Sequence, residues 1–230
     1  NFKNNKIRYF HIDLAQSNQI SNVFQSAIEQ DSNIDSVIHL AGLKSVKQSL
    51  YDPLAYWNSN VKGTINLLHN MKKFNCNNIV FSSSATVYGN NYSFHITEDL
   101  AKNPISVYGR TKLTVEQILN DLFFSQKEIW RIANLRYFNP IGAHPSGLIG
   151  ENSCKNSNNL FPKLCDVAYG KFDFLEIYGN NWSTRDGTPI RDYIHVMDIA
   201  EAHISALDFL IYNDPQIIDL NLGSGKGTSV

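Results

Sequence analysis

The sequence predicts an α/β fold, a doubly wound parallel sheet followed by a smaller C-terminal region. Three observations predict it. Short apolar runs alternate with amphipathic stretches up to about residue 139, the order that βαβ units produce. The runs are continuously apolar rather than alternating, as strands covered on both faces are. Past Asn139 the texture changes, with Gly, Pro, Asn and Ser thickening through 142–159. Residues 1–139 therefore read as a sheet-based domain, and 140–230 as a smaller, interleaved region that faces the substrate.

Element by element, residues 8–12 read as a short strand. A helix follows, with Ile20, Val23, Phe24, Ala27 and Ile28 at the i, i+3, i+4, i+7, i+8 spacing of one buried face. Residues 36–40 are the next apolar strand, and 53–74 a long helix with Trp57, Val61, Leu68 and Met71 along one side. Asn60 and Gly63 fall inside that helix, where tight packing is the physical reason for them. Strand 78–82 comes next. Helix 107–124 carries Val115, Ile118, Leu119, Leu122 and Phe123 as its stripe, and 132–138 is strand-like. The second region reads as a helix over 160–169, a strand over 174–178, a helix over 196–211 and a strand over 217–220. A further helix is expected to begin near Gly227, and His195 reads as a hydrogen-bonded core residue.

The formal net charge is −1, without long runs of one sign, so the clustered basic surface that grips nucleic acid is not expected. The three cysteines, Cys76, Cys154 and Cys165, fit neither a disulfide framework nor a zinc site at their spacing, which points to a reducing, cytoplasmic setting. The seven histidines show no metal-ligand spacing, and no apolar run reaches the roughly 20 residues that span a bilayer. The first residue is Asn1 rather than a methionine, and the sequence reads as trimmed at both ends.

The residues that point to chemistry begin with Tyr108-Gly109-Arg110-Thr111-Lys112. Four residues apart on a helix, the Tyr108 phenol and the Lys112 ammonium share a face. A phenol normally ionises near pH ~10, and a neighbouring cation lowers that value toward the range where it acts as a base. With 11 tyrosines in the chain the pair alone carries little weight. Its context adds weight. Strand 78–82 runs into Ser82, Ser83 and Ser84, then Ala85 and Thr86, which places hydroxyls at the carboxyl edge of a sheet, where open α/β folds bind ligands. The small residues of Leu40-Ala41-Gly42-Leu43-Lys44 end another strand and permit close approach of a cofactor. Gly223-Ser224-Gly225-Lys226-Gly227 has GxGxG spacing and comes last, so it reads as a loop on the substrate side rather than a dinucleotide loop.

Together these segments resemble the extended short-chain dehydrogenase/reductase superfamily, and within it the UDP-glucose 4-epimerases. The segments that carry the resemblance are AGLKSV (41–46), NVKGT (60–64), FSSSATVYG (81–89), SVYGRTK (106–112), LRYFNPIGAHPSG (135–147), SNNLFP (157–162), IYGN (177–180), RDGTPIRDYIHVMDIA (185–200) and NLGSGKG (221–227). Ala85 and Thr86 stand where the related dehydratases usually carry acidic residues. The resemblance implies a Rossmann-like sheet, a bound NAD that is reduced and reoxidised in each cycle, and interconversion of UDP-glucose and UDP-galactose through a 4-keto sugar. It also implies homodimers formed through the helices near 53–74 and 107–124.

Residue by residue, it implies Tyr108 as the base at the sugar 4-hydroxyl, Ser84 and Thr86 on the 4-oxygen, and Lys112 on the nicotinamide ribose. Lys44 and Ser83 would touch the cofactor, with Asp13 and Leu14 near the adenine, Tyr137 beside the nicotinamide, and Leu40, Ala41, Gly42, Ser59, Asn60 and Ser82 completing the pocket. Asn139, Asn159, Leu160, Glu176, Tyr178 and Arg191 would hold the UDP-sugar, Arg191 as a clamp on the diphosphate. The family's first strand, Gly-rich phosphate loop and second strand have no counterpart before residue 8, so the sheet is expected to be incomplete and strand 8–12 to lack its neighbour. The 230 residues alone are then expected neither to hold NAD nor to epimerise. Two rivals stand beside this reading: a UDP-N-acetylhexosamine 4-epimerase, and a catalytically silent nucleotide-sugar binding module.

Overall fold

A computed structural model of the chain describes residues 7–90, 95–151 and 159–230. Cys154 and the Ser157-Asn158 part of the SNNLFP segment lie outside them. The chain divides into two compact units. The first comprises Asn1–Arg136 and Ala206–Leu220, and the second Tyr137–Ser205 and Asn221–Val230.

The first unit is layered as its sequence periodicity implies. Strands β1 (Ser36–His39), β2 (Asn78–Ser84), β3 (Arg131–Tyr137) and β6 (Ile217–Leu222) stand in the order β1-β2-β3-β6. β1 and β2 run parallel, with Ser36 opposite Asn78 and His39 opposite Phe81. The helices are α1 (Ser17–Ile28), α2 (Val46–Tyr51), α3 (Pro53–Tyr56), α4 (Gly63–Lys73) and α5 (Val107–Ser125). Ile20 and Phe24 of α1, Leu67, Leu68 and Met71 of α4, Val115 and Leu119 of α5, and Ile79, Phe81, Trp130 and Ile132 from the sheet side close one core. Burying each of these large side chains contributes roughly 1.5–3 kcal/mol. Phe24 stacks on Phe74 with 5.2 Å between centroids, which fixes α1 against the end of α4.

The helix expected over 53–74 exists, with one irregular turn. Asp52 caps α3 by accepting the Ala55 amide at 3.1 Å, and Pro53 fills the first position, where a missing N–H costs nothing. Residues Trp57–Lys62 form a π-helical turn before α4 resumes. Such turns are rare and collect at functional sites. Asn60 is buried here, and a Cβ on Gly63 would stand 3.2 Å from the Leu14 side chain, the tight packing that the sequence implied.

The second unit has its own small sheet, from β4 (Asn139–Ile141), β5 (Ile190–His195) and β7 (Gly227–Ser229). β4 is parallel to β5, and β5 antiparallel to β7. Helix α6 (Leu160–Ala168) belongs to this unit, as does the first part of α7 (Val196–Tyr212). Three expectations are corrected. Residues 8–12 and 174–178 form no strand. A strand exists only as a ladder, and no described segment pairs with either; Tyr9, Phe10, Phe174 and Ile177 stay exposed. The segment from Gly227 continues as β7 instead of a helix, because it pairs with β5. His195 is exposed rather than part of a core, and its ring accepts the Met197 amide at 3.2 Å. No helix among the described residues is long and apolar enough to cross a membrane.

Candidate active site

The end of β2 and the start of α5 bring the predicted catalytic residues of the first unit together. Ser106 caps α5 by accepting the Gly109 amide at 3.0 Å, so Tyr108 sits in the first turn, where unpaired backbone N–H groups favour a developing negative charge. A short 3₁₀ turn, Ala85–Tyr88, carries Thr86 directly past that turn. A Cβ on Gly109 would lie 2.8 Å from the Thr86 carbonyl, so only glycine lets the two turns approach this closely. Gly89 ends the 3₁₀ turn at φ +69°, with the space for a Cβ taken by the Asn103 carbonyl.

The hydroxyls form a chain. Ser84 Oγ accepts from the Thr86 amide at 3.3 Å and from the Thr86 hydroxyl at 3.0 Å. Its own proton is thereby left for Tyr108, with which it also hydrogen-bonds. Burial pushes the Tyr108 phenol above its ordinary range, the Ser84 bond pulls it back, and Tyr56 adds to the rise. Lys112 is 5% exposed, and burial lowers its ammonium to about 8. Its Nζ donates to the Ser82 carbonyl at 2.6 Å and stands 4.8 Å from the Phe81 ring centroid and 5.8 Å from that of Tyr108. An ammonium has three donors. Two of them meet no acceptor among the described residues, and a ligand rich in hydroxyls is the chemistry that would use them.

The cofactor-side residues divide by environment. Asn60 fastens the loop after β1: its Oδ1 accepts the Leu43 amide at 2.8 Å, and its amide donates to the Leu43 carbonyl at 3.0 Å and to Thr111 Oγ1 at 3.2 Å. Leu40, Ala41, Gly42 and Lys44 on that loop are exposed, and Ser59 is half-buried. Asp13 is exposed and caps its own turn through the Ala15 amide at 2.9 Å, while the Leu14 carbonyl accepts from Asn66. Ser83 is buried, and its hydroxyl donates to Glu116 at 2.5 Å.

In the second unit, the Tyr137 hydroxyl meets His203 Nε2 at 2.5 Å. Asn139 donates to the Asp192 carbonyl at 2.9 Å, and Asp192 in turn accepts the Ser224 and Gly225 amides, each at 2.8 Å, so the Gly-rich loop wraps a carboxylate. Asn159 donates to Glu151 at 3.1 Å where α6 begins with Leu160. Tyr178 and Glu176 bond each other at 2.6 Å on the surface. Arg191 is exposed and donates to the Ile190 carbonyl at 3.1 Å; no carboxylate pairs with it among the described residues.

Two features escaped the sequence reading. His39 is buried in β1 with Nε2 2.8 Å from Thr64 Oγ1, and because Thr64 gives its own proton to the Asn60 carbonyl, the imidazole is the donor. Burial first, and Lys112 second, lower His39 to about 4 from 6.5. Between those values the unfolded chain binds a proton that the folded one refuses, so stability rises with pH across the window and is lost as pH falls through it. The shift corresponds to about 3 kcal/mol. Urea titrations at pH 7 and pH 4.5 are expected to show most of that difference vanish in His39→Gln; an unchanged difference would place the titrating group elsewhere. The second feature is a buried charge network around Arg136. Its guanidinium bonds Glu116 twice, both at 2.9 Å, Tyr88 at 2.8 Å, and Asp219. The signal was available: Glu116 lies on the apolar stripe of α5, where a charge has to be paired.

Comparison with known proteins agrees with this geometry. The sequence profile described as "NAD dependent epimerase/dehydratase family" matches residues 1–223. The chain belongs to this family. It is 48% identical over 225 residues to UDP-glucose 4-epimerase of Dictyostelium discoideum, covering 98% of this chain and 64% of that protein. It is 46% identical over 229 residues to UDP-glucose 4-epimerase uge1 of Schizosaccharomyces pombe, covering 98% and 63%. The chain thus spans less than two thirds of the length of these relatives. Among solved structures, the UDP-glucose 4-epimerase of Stenotrophomonas maltophila with bound NAD and formylated UDP-arabinopyranose has a TM-score of 0.89 at 43% identity, covering 96% of this chain and 63% of that one. That of Bifidobacterium longum in complex with NAD+ and UDP has a TM-score of 0.87 at 41% identity, covering 96% and 64%.

Proposed function

We propose that the protein to which this chain belongs is a UDP-glucose 4-epimerase, a cytoplasmic, NAD-dependent homodimer that interconverts UDP-glucose and UDP-galactose. The observation that carries the reading is the Thr86–Ser84–Tyr108 hydroxyl chain beside buried Lys112. Lys112, with donors left over, fits the hydroxyls of a nicotinamide ribose, and Asn60 shapes the loop that follows β1 for a cofactor. When bound, NAD+ supplies reversible two-electron oxidation of the sugar carbinol, and its positive ring favours the phenolate. Tyr108 takes the proton from the 4-hydroxyl, and Ser84 and Thr86 hold the 4-oxygen while that proton moves. Arg191, Asn139 and Asn159, with Leu160, Tyr178 and Glu176, bind the nucleotide and orient the sugar. Both solved relatives carry a uridine nucleotide with their NAD, which supports the substrate class.

The sugar must be free to present either face, so the uridine diphosphate supplies most of the ground-state affinity. In the full-length protein, calorimetry is expected to show UDP binding tightly and free galactose weakly, with UDP-galactose converted to UDP-glucose. Comparable affinities for UDP and galactose would overturn the nucleotide anchor. Tight UDP binding without turnover would favour the silent binding module, and turnover of UDP-N-acetylhexosamines in preference would favour the other epimerase.

A further inference from the structure

Three consecutive residues of β2 reach the same helix, each in a different way. The Ser82 carbonyl accepts from Lys112, the Ser83 hydroxyl donates to Glu116 at 2.5 Å, and the Ser84 hydroxyl bonds Tyr108. On α5 these partners stand at 112, 116 and 108, spaced by four, so they lie on one face. The middle rung is the most deeply set: Ser83 and Glu116 are each 1% exposed. Glu116 cannot drift, because Arg136, fully buried, grips both of its oxygens. The same guanidinium holds Tyr88, the last residue of the turn that carries Thr86.

We propose that Ser83 and Glu116 are positioning residues for the reaction, a rung that sets β2 against α5 so that Ser84 meets the Tyr108 phenol. The proposal rests on the epimerase reading and adds to it a pair that touches neither sugar nor cofactor through its hydroxyl–carboxylate bond. A hydroxyl bonded at 2.5 Å to a carboxylate is a charge-assisted contact, short and directional. Without it, the strand end would keep its backbone ladder but lose the restraint nearest to Ser84. Small displacements of a reacting pair carry large kinetic penalties.

Ser83→Ala in the full-length enzyme is the test, since it removes one hydroxyl and leaves the Glu116–Arg136 pair whole. The expected result is a fall in kcat of about tenfold with KM within about twofold of wild type, and an unchanged NAD content. In a Ser84→Ala background the same substitution is expected to have almost no effect on kcat, because the hydroxyl it positions is already gone. Equal effects of Ser83→Ala in both backgrounds, or an unchanged kcat in the first, would overturn the proposal. A second readout needs no turnover: ultraviolet titration of the Tyr108 phenol, taken as the difference from Tyr108→Phe, is expected to move to higher pH in Ser83→Ala. If wild type failed to epimerise, the functional reading would fall while this titration still decided whether the rung exists; an unmoved titration would remove it.

Discussion

Tyr108→Phe in the full-length protein is expected to lower turnover of UDP-galactose by about 10²–10⁴-fold, the usual worth of a positioned acid–base group. Only the ionisable oxygen is lost. The ring, the first turn of α5 and its Ser106 cap remain, so purified protein should keep its NAD, read from cofactor absorbance after denaturation. The reason to expect a large effect is the environment of the phenol. Burial opposes its ionisation, and the Ser84 bond and the helix N-terminus oppose that burial. A group balanced in this way has been placed where its proton can leave. Lys112→Ala is expected to differ in kind, losing cofactor as well as turnover, because its spare donors face the proposed ribose site. Tyr108→Phe with near wild-type turnover would remove Tyr108 from the mechanism.

Arg136→Met is expected to destabilise the folded protein by about 3–5 kcal/mol, the cost of breaking a buried ion pair from one side. Burial works against the Arg136 charge, but Glu116, Asp219 and Tyr88 outweigh it and hold the guanidinium protonated, above its ordinary range. The substitution leaves Glu116 as a charge at 1% exposure, with Lys102 4.0 Å away as the remaining cation. Ser83 and Asp219 would each keep one partner, so the loss falls mainly on Glu116. Urea unfolding followed by tryptophan fluorescence measures it. A change below about 1 kcal/mol would mean that solvent reaches these charges.

Much of the first unit was legible because its signals are local. The stripe Ile20, Phe24 of α1 and the run Ile79–Phe81 of β2 lie buried where periodicity put them. Ser84, Tyr108 and Lys112 were legible for a chemical reason, since hydroxyls at a strand end and a Tyr–Lys pair at helical spacing have few structural uses together. What failed was whatever depends on a partner. Residues 8–12 and 174–178 have strand composition and no ladder. Conversely, β4, of sequence Asn-Pro-Ile, and β5, with Arg191 and Asp192 inside it, look nothing like apolar strands yet pair with each other. Arg136 was read as part of a strand, and nothing nearby in sequence announces Glu116 or Asp219 as its partners. The phenol is a finer case: spacing alone suggested that Lys112 would depress its ionisation, whereas burial dominates in the folded chain.

The first unit is discontinuous, and this bears on how it is made. Its sheet ends in β6, whose first neighbours on β3 lie some eighty residues earlier: the Ile132 amide bonds the Gln216 carbonyl, and Asn134 bonds Asp219. A ribosome delivers β1, β2, α5 and β3 well before Ala206–Leu220 exists outside the exit tunnel. Until then β3 is an open edge, and Arg136 holds Glu116 without its second carboxylate. Closing so long an interval is entropically costly and slow compared with helix formation. The nascent chain therefore passes through a stage in which its catalytic strand and helix are present but its sheet is unsealed. That interval is when a chaperone, or a sticky neighbour, has its opportunity.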